Sequence, residues 1–197
     1  MTNKSENLEI VLPKNQLSLY GYEDYFTLFA NLHRKNKLPN TILLSGPKGL
    51  GKATFAYHFI NYILSYNEFN KYSVDNMTIH PENNSYKSLS RNTNPNFSLL
   101  ESDMLEENIK IDKVRNILNF LNKTTYSSNI KIILIDNAEY LNVYSSNALL
   151  KALEEANNRT FFFIIHNNHS KIIDTIKSRC IEFKFFFNIT EKEEILK

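Results

Sequence analysis

Three short stretches of this chain carry residue types that handle phosphate. Gly46-Pro47-Lys48-Gly49-Leu50-Gly51-Lys52 sets three of the chain's four glycines beside a lysine. Glycines so spaced let main-chain N–H groups converge on an anion at a helix start, and the lysine neutralises its outer oxygens. Such a loop ordinarily continues with Ser or Thr, whose hydroxyl helps to hold Mg²⁺. Here that position is Ala53, and Thr54 comes one residue late. On a helix one residue is a turn of roughly 100°, which points the Thr54 oxygen away from the metal. Main-chain binding of an anion survives Ala53, whereas tight Mg²⁺ coordination does not. The competing reading is a glycine turn between strand and helix with no ligand.

The second stretch is Lys131-Ile132-Ile133-Leu134-Ile135-Asp136, an apolar run ending in a carboxylate. An Asp in that place positions Mg²⁺ through water, and a Glu directly after it polarises the attacking water. The next residue is Asn137, which accepts no proton, and Glu139 lies two positions further, past the strand end. Asp136 is otherwise a strand-end carboxylate that caps the following turn. The third stretch is Ser178-Arg179-Cys180. An arginine at an element boundary can stabilise charge on a transferring phosphoryl group, including one held by a neighbouring subunit. It can also be a surface arginine paired with a nearby carboxylate.

The elements that must hold these residues alternate in kind. Tyr20 to about Lys37 has Tyr25, Leu28, Phe29 and Leu32 at spacings of three and four, the period of a helix. Thr41-Ile42-Leu43-Leu44 suits a strand buried on both faces. After the loop, Ala53 to Leu64 suits a helix burying Phe55, Ala56, Phe59, Ile60 and Ile63. Residues 65–108 are rich in Asn, Ser and Tyr and read as a loop-rich insertion with one strand at Asn96–Leu100. Ile111, Val114, Ile117, Leu118 and Leu121 form a helical stripe. Lys131–Asp136 is a buried strand, and Ser145 to Glu155 a helix capped by Ser145 or Ser146. Thr160–Ile165 is another strand, Lys171–Lys177 a short helix, and Ile181–Phe185 alternates like a last strand. This succession predicts an α/β fold, a mainly parallel sheet with helices on both faces.

Bulk properties narrow the function classes. The 197 residues suit one domain of ordinary size, and 14 Phe and 11 Tyr supply a core. A net charge of +2 gives no global field for nucleic acid, and no basic stripe or reading helix supports sequence-specific DNA binding. The single Cys180 excludes an internal disulfide and reads as a small buried apolar residue. The polar N-terminus lacks a secretory core and no apolar run spans a bilayer, so a cytoplasmic location without a membrane partner is expected.

The Gly46–Thr54 loop, Asp112-Lys113-Val114-Arg115, the Ile135–Glu155 segment with Asn147-Ala148-Leu149-Leu150-Lys151-Ala152-Leu153-Glu154-Glu155, and Thr175–Cys180 together resemble the clamp-loader subunits of bacterial DNA polymerase III. The resemblance runs from about Leu19 to Phe187 and is nearest to the delta-prime type, because Gly-Lys-Ala-Thr lacks the hydroxyl that the gamma/tau type keeps. It implies a P-loop NTPase domain of the AAA+ (RecA-like) kind over 19–187. A polar arm would precede it (1–18), and the start of a helical lid would follow (188–197), with the rest of the lid and the collar absent. It implies a site for ATP or ADP with Mg²⁺ built from Gly46, Pro47, Lys48, Gly49, Leu50, Gly51, Lys52, Ala53, Thr54 and Asp136. It also implies that Arg179 is an arginine finger acting in trans on the adjacent subunit's ATP.

The implied partners are gamma/tau and delta subunits and, through the assembled complex, the sliding clamp and primed DNA. The implied place is in a polymerase holoenzyme, with no polymerase site of its own and poor hydrolysis, since Ala53 and Asn137 replace two catalytic groups. Many members of this family carry four zinc cysteines in the region matching 65–95; none is present here, so no zinc is expected. Glu155-Ala156-Asn157 stands where relatives have Glu-Pro-Pro, and Asn167 stands near the position that senses nucleotide phosphate. Two alternatives stay open: an active gamma/tau-type ATPase subunit, and a P-loop domain unrelated to replication.

Overall fold

In a computed structural model, residues 11–103, 107–123, 130–157, 159–168 and 171–186 are described. The first residues of the expected arm and all of the expected lid start (188–197) lie outside them. Five strands, β1 (Thr41–Gly46), β2 (Phe97–Leu100), β3 (Lys131–Ile135), β4 (Thr160–Asn167) and β5 (Ile181–Lys184), form one sheet in the order β2-β3-β4-β1-β5. Every pairing is parallel, as the apolar runs predict.

Alternation along the strands divides the core in two. On one face Ile42, Leu44, Ile132, Leu134, Phe161 and Phe163 pack under α1 (Glu23–Arg34) and α2 (Lys52–Leu64). On the other, Leu43, Ile133, Ile135, Phe162 and Ile164 pack under α4 (Ile111–Asn122), α5 (Val143–Glu154) and α6 (Asp174–Lys177). The buried residues of α1 are Phe26, Phe29 and Ala30, whereas Leu28, expected in the stripe, is exposed.

Residues 65–108 are mostly irregular where described. They contain the expected strand, which is an edge of the central sheet, and a helix, α3 (Asn84–Ser90), that apolar spacing does not announce. Polar groups build it. Asn83 Oδ1 accepts from the Tyr86 amide at 2.6 Å and from Asn61 Nδ2 at 2.9 Å. The Glu68 carboxylate accepts from the amides of Asn84 and Ser85 at 2.8 and 2.9 Å, an anion on the positive end of the helix. Leu19 N donates to Met77 O at 2.9 Å, and Ile79 N to Leu17 O at 2.8 Å. At α5 the cap is Asn142, whose Oδ1 accepts from Ser145 N at 2.9 Å. Ser145 Oγ instead donates to Ile109 O at 2.6 Å, tying the helix start to the strand-like segment before α4. No described helix is long and apolar enough to cross a membrane.

One buried group makes stability depend on pH. His58, on α2, is fully buried, with Nδ1 3.0 Å from Tyr72 Oη and burial pushing its pKa down to about 4. Below an unfolded pKa near 6.5 the unfolded chain takes up a proton that the folded chain refuses. The His58 contribution is therefore intact above pH 6.5 and lost between there and about pH 4, a change of about 3 kcal/mol. Urea unfolding from pH 7.5 to 4.5 should show stability lost with acid in the wild type relative to His58→Phe, the gap between the two profiles opening below about pH 6.5. Parallel profiles would mean that His58 accepts its proton without opening the fold. The opposite contribution of Asp136, whose carboxyl is pushed up, is common to both proteins and cancels in the comparison.

Candidate functional site

The carboxyl ends of β1, β3 and β4 lie side by side, the edge at which parallel α/β sheets bind ligands. β1 ends at Gly46 and the loop turns into α2. Gly46 has no room for a side chain, since a Cβ there would lie 2.4 Å from Phe185 O. Gly51, with φ 76°, is the left-handed residue that starts α2. Pro47, Lys48 and Gly49 are exposed, Leu50 and Gly51 half-buried. The Tyr22 hydroxyl donates to Leu50 O, so the segment before α1 braces the loop from outside. Tyr22 was not among the expected site residues, because nothing in its spacing announces a contact 28 positions away.

Lys52 is buried, and its Nζ donates to Gly46 O at 2.9 Å and Pro47 O at 2.6 Å. Burial lowers its pKa, while Glu139 and then Asp136 oppose the shift. The ammonium therefore sits in a desolvated place, aimed by the loop's own carbonyls. An anion at the free N–H groups of the α2 start would restore the charge that burial disfavours. The residues present fit a phosphate. They fit Mg²⁺ less well, because Ala53 packs its methyl against the core and Thr54, half-buried, stands roughly 100° further round the helix.

Asp136 directly follows β3, with its Oδ1 accepting from the Asn137 amide at 2.9 Å. Burial pushes its carboxyl up to about 6, with Glu101 and Glu139 adding to the rise and Lys52 opposing it. The chain then turns through Asn137 in the left-handed region, φ 54°. That turn brings Glu139 back over the sheet end. Asn167, the last residue of β4, donates its Nδ2 to Asn137 Oδ1 at 2.7 Å and to Glu139 Oε1 at 3.0 Å. Its main-chain N–H donates to Glu139 Oε2 at 3.2 Å. Asn137 and Glu139 are thus cross-linked through Asn167, which engages both Glu139 carboxylate oxygens.

Arg179 lies at the other end of the molecule. It precedes β5, and its carbonyl accepts from Thr41 Oγ1, at the start of β1, at 2.5 Å. Thr41 and Gly46 bound the same strand, so Arg179 stands about 16 Å along the sheet from the loop. Its Nε and Nη2 donate to Glu154 Oε1 at 2.7 and 2.5 Å, and Nη1 donates to Thr175 O at 2.8 Å. The carboxylate pairing of the alternative, surface-arginine reading is present, and the partner is the last residue of α5. Cys180 is half-buried beside it, its thiol donating to Ile176 O at 3.2 Å and pushed up to about 12 by burial. The structure brings together Gly46–Thr54 and Asp136 and leaves Arg179 apart.

Comparison with known proteins follows this geometry. The DNA polymerase III subunit delta' of Pseudomonas aeruginosa is 31% identical over 155 residues, 79% of this chain and 45% of that protein. Subunit gamma/tau of Mycoplasma genitalium is 30% identical over 178 residues, 90% of this chain and 28% of that protein. The chain thus spans less than half the length of either relative. Among solved structures, a gamma subunit-related protein of Thermotoga maritima superposes with a TM-score of 0.54 at 19% identity, covering 84% of this chain and 48% of its own. The RuvB branch migration motor of the same organism gives 0.53 at 20%, covering 94% and 53%. These two show the fold, that of AAA+ P-loop NTPases. The profile of the family described as DNA polymerase III, delta subunit, matches residues 21–187. That stretch holds the loop, the strand-end carboxylate and the arginine turn, and the chain belongs to this family.

Proposed function

We propose that this chain is the AAA+ domain, residues 19–187, of a delta-prime-type subunit of the DNA polymerase III clamp loader. It joins gamma/tau and delta subunits, helps to load the sliding clamp onto primed DNA in the cytoplasm, and hydrolyses ATP poorly itself. The observation that supports this reading is the separation of Arg179 from the phosphate loop along β1, which puts the guanidinium out of reach of a nucleotide on the chain's own loop.

The loop supports binding of ATP or ADP phosphates through Gly46–Thr54, with Lys52 released from Gly46 O and Pro47 O to the anion. Bound Mg²⁺ would neutralise phosphate charge. Of the protein groups that would hold it, Ala53 offers none and Asp136 is drawn towards its protonated form. Asn137 accepts no proton and is held by Asn167. The gamma/tau reading draws on the nearly equal identity to a gamma/tau relative. The same missing groups weigh against it.

The test is nucleotide binding and hydrolysis, first alone and then in a complex. The isolated chain should bind ATP with an affinity that EDTA changes little, and turn it over far more slowly than about 1 s⁻¹, the lower end for working enzymes. Mixed with gamma/tau and delta, it should co-elute and yield a complex whose hydrolysis responds to clamp and primed DNA. Turnover at or above that rate by the chain alone would favour the gamma/tau type. A chain that neither co-elutes nor supports turnover would count against the clamp-loader role proposed here.

A further inference from the structure

We infer that Glu154 is the positioning residue of the Arg179 finger, holding one edge of the guanidinium so that the opposite edge is presented to the neighbouring subunit's phosphates; this rests on the reading of Arg179 given above. A guanidinium has five N–H donors in a rigid plane. Nε and Nη2, which lie along one edge, both point at Glu154 Oε1, and Nη1 gives one hydrogen to Thr175 O. Three donors are engaged, and one on each Nη is left for an incoming anion. The end of the fork is thus offered while its side is held.

The base of the side chain is fixed as well. Arg179 N donates to Ile176 O at 3.1 Å, and its carbonyl accepts from Thr41. An arginine fixed at both ends of its side chain meets a phosphate without first being ordered, which is where positioning yields rate.

Glu154 stands on a rigid support. It closes α5, which Leu149 and Leu153 anchor in the core. A carboxylate on the last residue of a helix faces the negative end of the helix dipole, an unfavourable place unless a cation answers it. Glu155 follows directly, with Lys151 Nζ 3.9 Å away, so two acids crowd one helix end and Arg179 answers the first. The side chains of Arg179 and Glu154 are 31% and 52% exposed. An exposed pair of this kind contributes little to folding, which favours a role in aiming over a role in stability.

The test uses the complex assembled with gamma/tau and delta, with clamp and primed DNA present. Glu154→Ala should lower kcat about ten-fold with KM within about two-fold of wild type, since the finger is mis-aimed while nucleotide binding next door is untouched. Glu154→Gln, which keeps an oxygen acceptor of the same reach, should recover part of the loss. It also carries the test if the alanine variant does not assemble. In an Arg179→Ala background neither change should lower kcat further.

Wild-type kcat in both Glu154 variants, beside a crippled Arg179→Ala, would overturn the positioning role and leave the finger standing. Unchanged turnover in Arg179→Ala within an intact complex would remove the finger, and this inference with it. A loss from Glu154→Ala that persists undiminished in the Arg179→Ala background would show that Glu154 acts by another route.

Discussion

In a clamp loader assembled with gamma/tau and delta partners, Arg179→Ala is expected to slow ATP turnover about 10³-fold at the site that the finger completes, with assembly intact by size exclusion. The size follows from what a finger does. It meets charge that develops on the transferring phosphoryl group with a fixed positive charge that needs no reorganisation. The side chain is held at the surface by Glu154 and Thr175 O, so its removal costs this chain an exposed ion pair and one hydrogen bond. Turnover and folding should therefore separate. Thermal unfolding of the variant should stay near wild type while stimulated hydrolysis collapses. If hydrolysis holds in an intact complex, Arg179 is a surface arginine paired with Glu154 and the subunit acts by scaffolding alone.

The second large effect concerns the core under α1 and α2. Phe59 is fully buried, its ring centroid 5.3 Å from Phe29, 5.5 Å from Phe26, 5.6 Å from Tyr62 and 5.9 Å from Phe163. Two helices and the sheet thus meet at one ring, and no neighbour is free to fill the space it leaves. Phe59→Ala should cost about 3–5 kcal/mol, the transfer free energy of the ring plus that of the cavity. Against a total stability of roughly 5–15 kcal/mol this is a large share. The melting temperature should fall by about 6–20 °C for a chain of this length. A fall of a degree or two in calorimetry would show that α1 and α2 close over the gap. The same deletion at Leu28, on the exposed side of α1, should change little.

How far the sequence discloses this molecule depends on the range of the interaction involved. Strands β1, β3 and β4 are legible because burial on both faces demands continuous apolar runs such as Phe161–Ile165. The loop is legible because close approach and positive φ demand glycine at fixed offsets. Helix α3 escapes because polar side chains make it. Asn83, Glu68 and Asn61 satisfy its first turn from 22 or fewer positions away, and no apolar period records that. The cap of α5 was misplaced for a related reason. Ser145 is a fitting cap residue by type, but Ile109 O engages its hydroxyl and Asn142 takes the role. At the site, the identities of Lys52, Asp136 and Arg179 were readable. That Asn167 binds Asn137 and Glu139 together, or that Glu154 answers Arg179 across 25 positions, depends on which strand ends lie adjacent.

The placement of the loop at one end of β1 and the arginine at the other gives the subunit a direction. A contact that brings the finger of one subunit to the phosphate loop of the next joins unlike surfaces, so it is heterologous and cannot be satisfied by a two-fold axis. Repetition of such a contact runs head to tail and needs either closure or a terminus. A subunit with a sound donor edge and a degraded acceptor edge is suited to the terminal place. It completes the neighbour on one side and asks nothing catalytic of the neighbour on the other. On the reading proposed for Arg179, the absence of a hydroxyl at Ala53 and of a base at Asn137 would confine this chain to that place in the order of subunits.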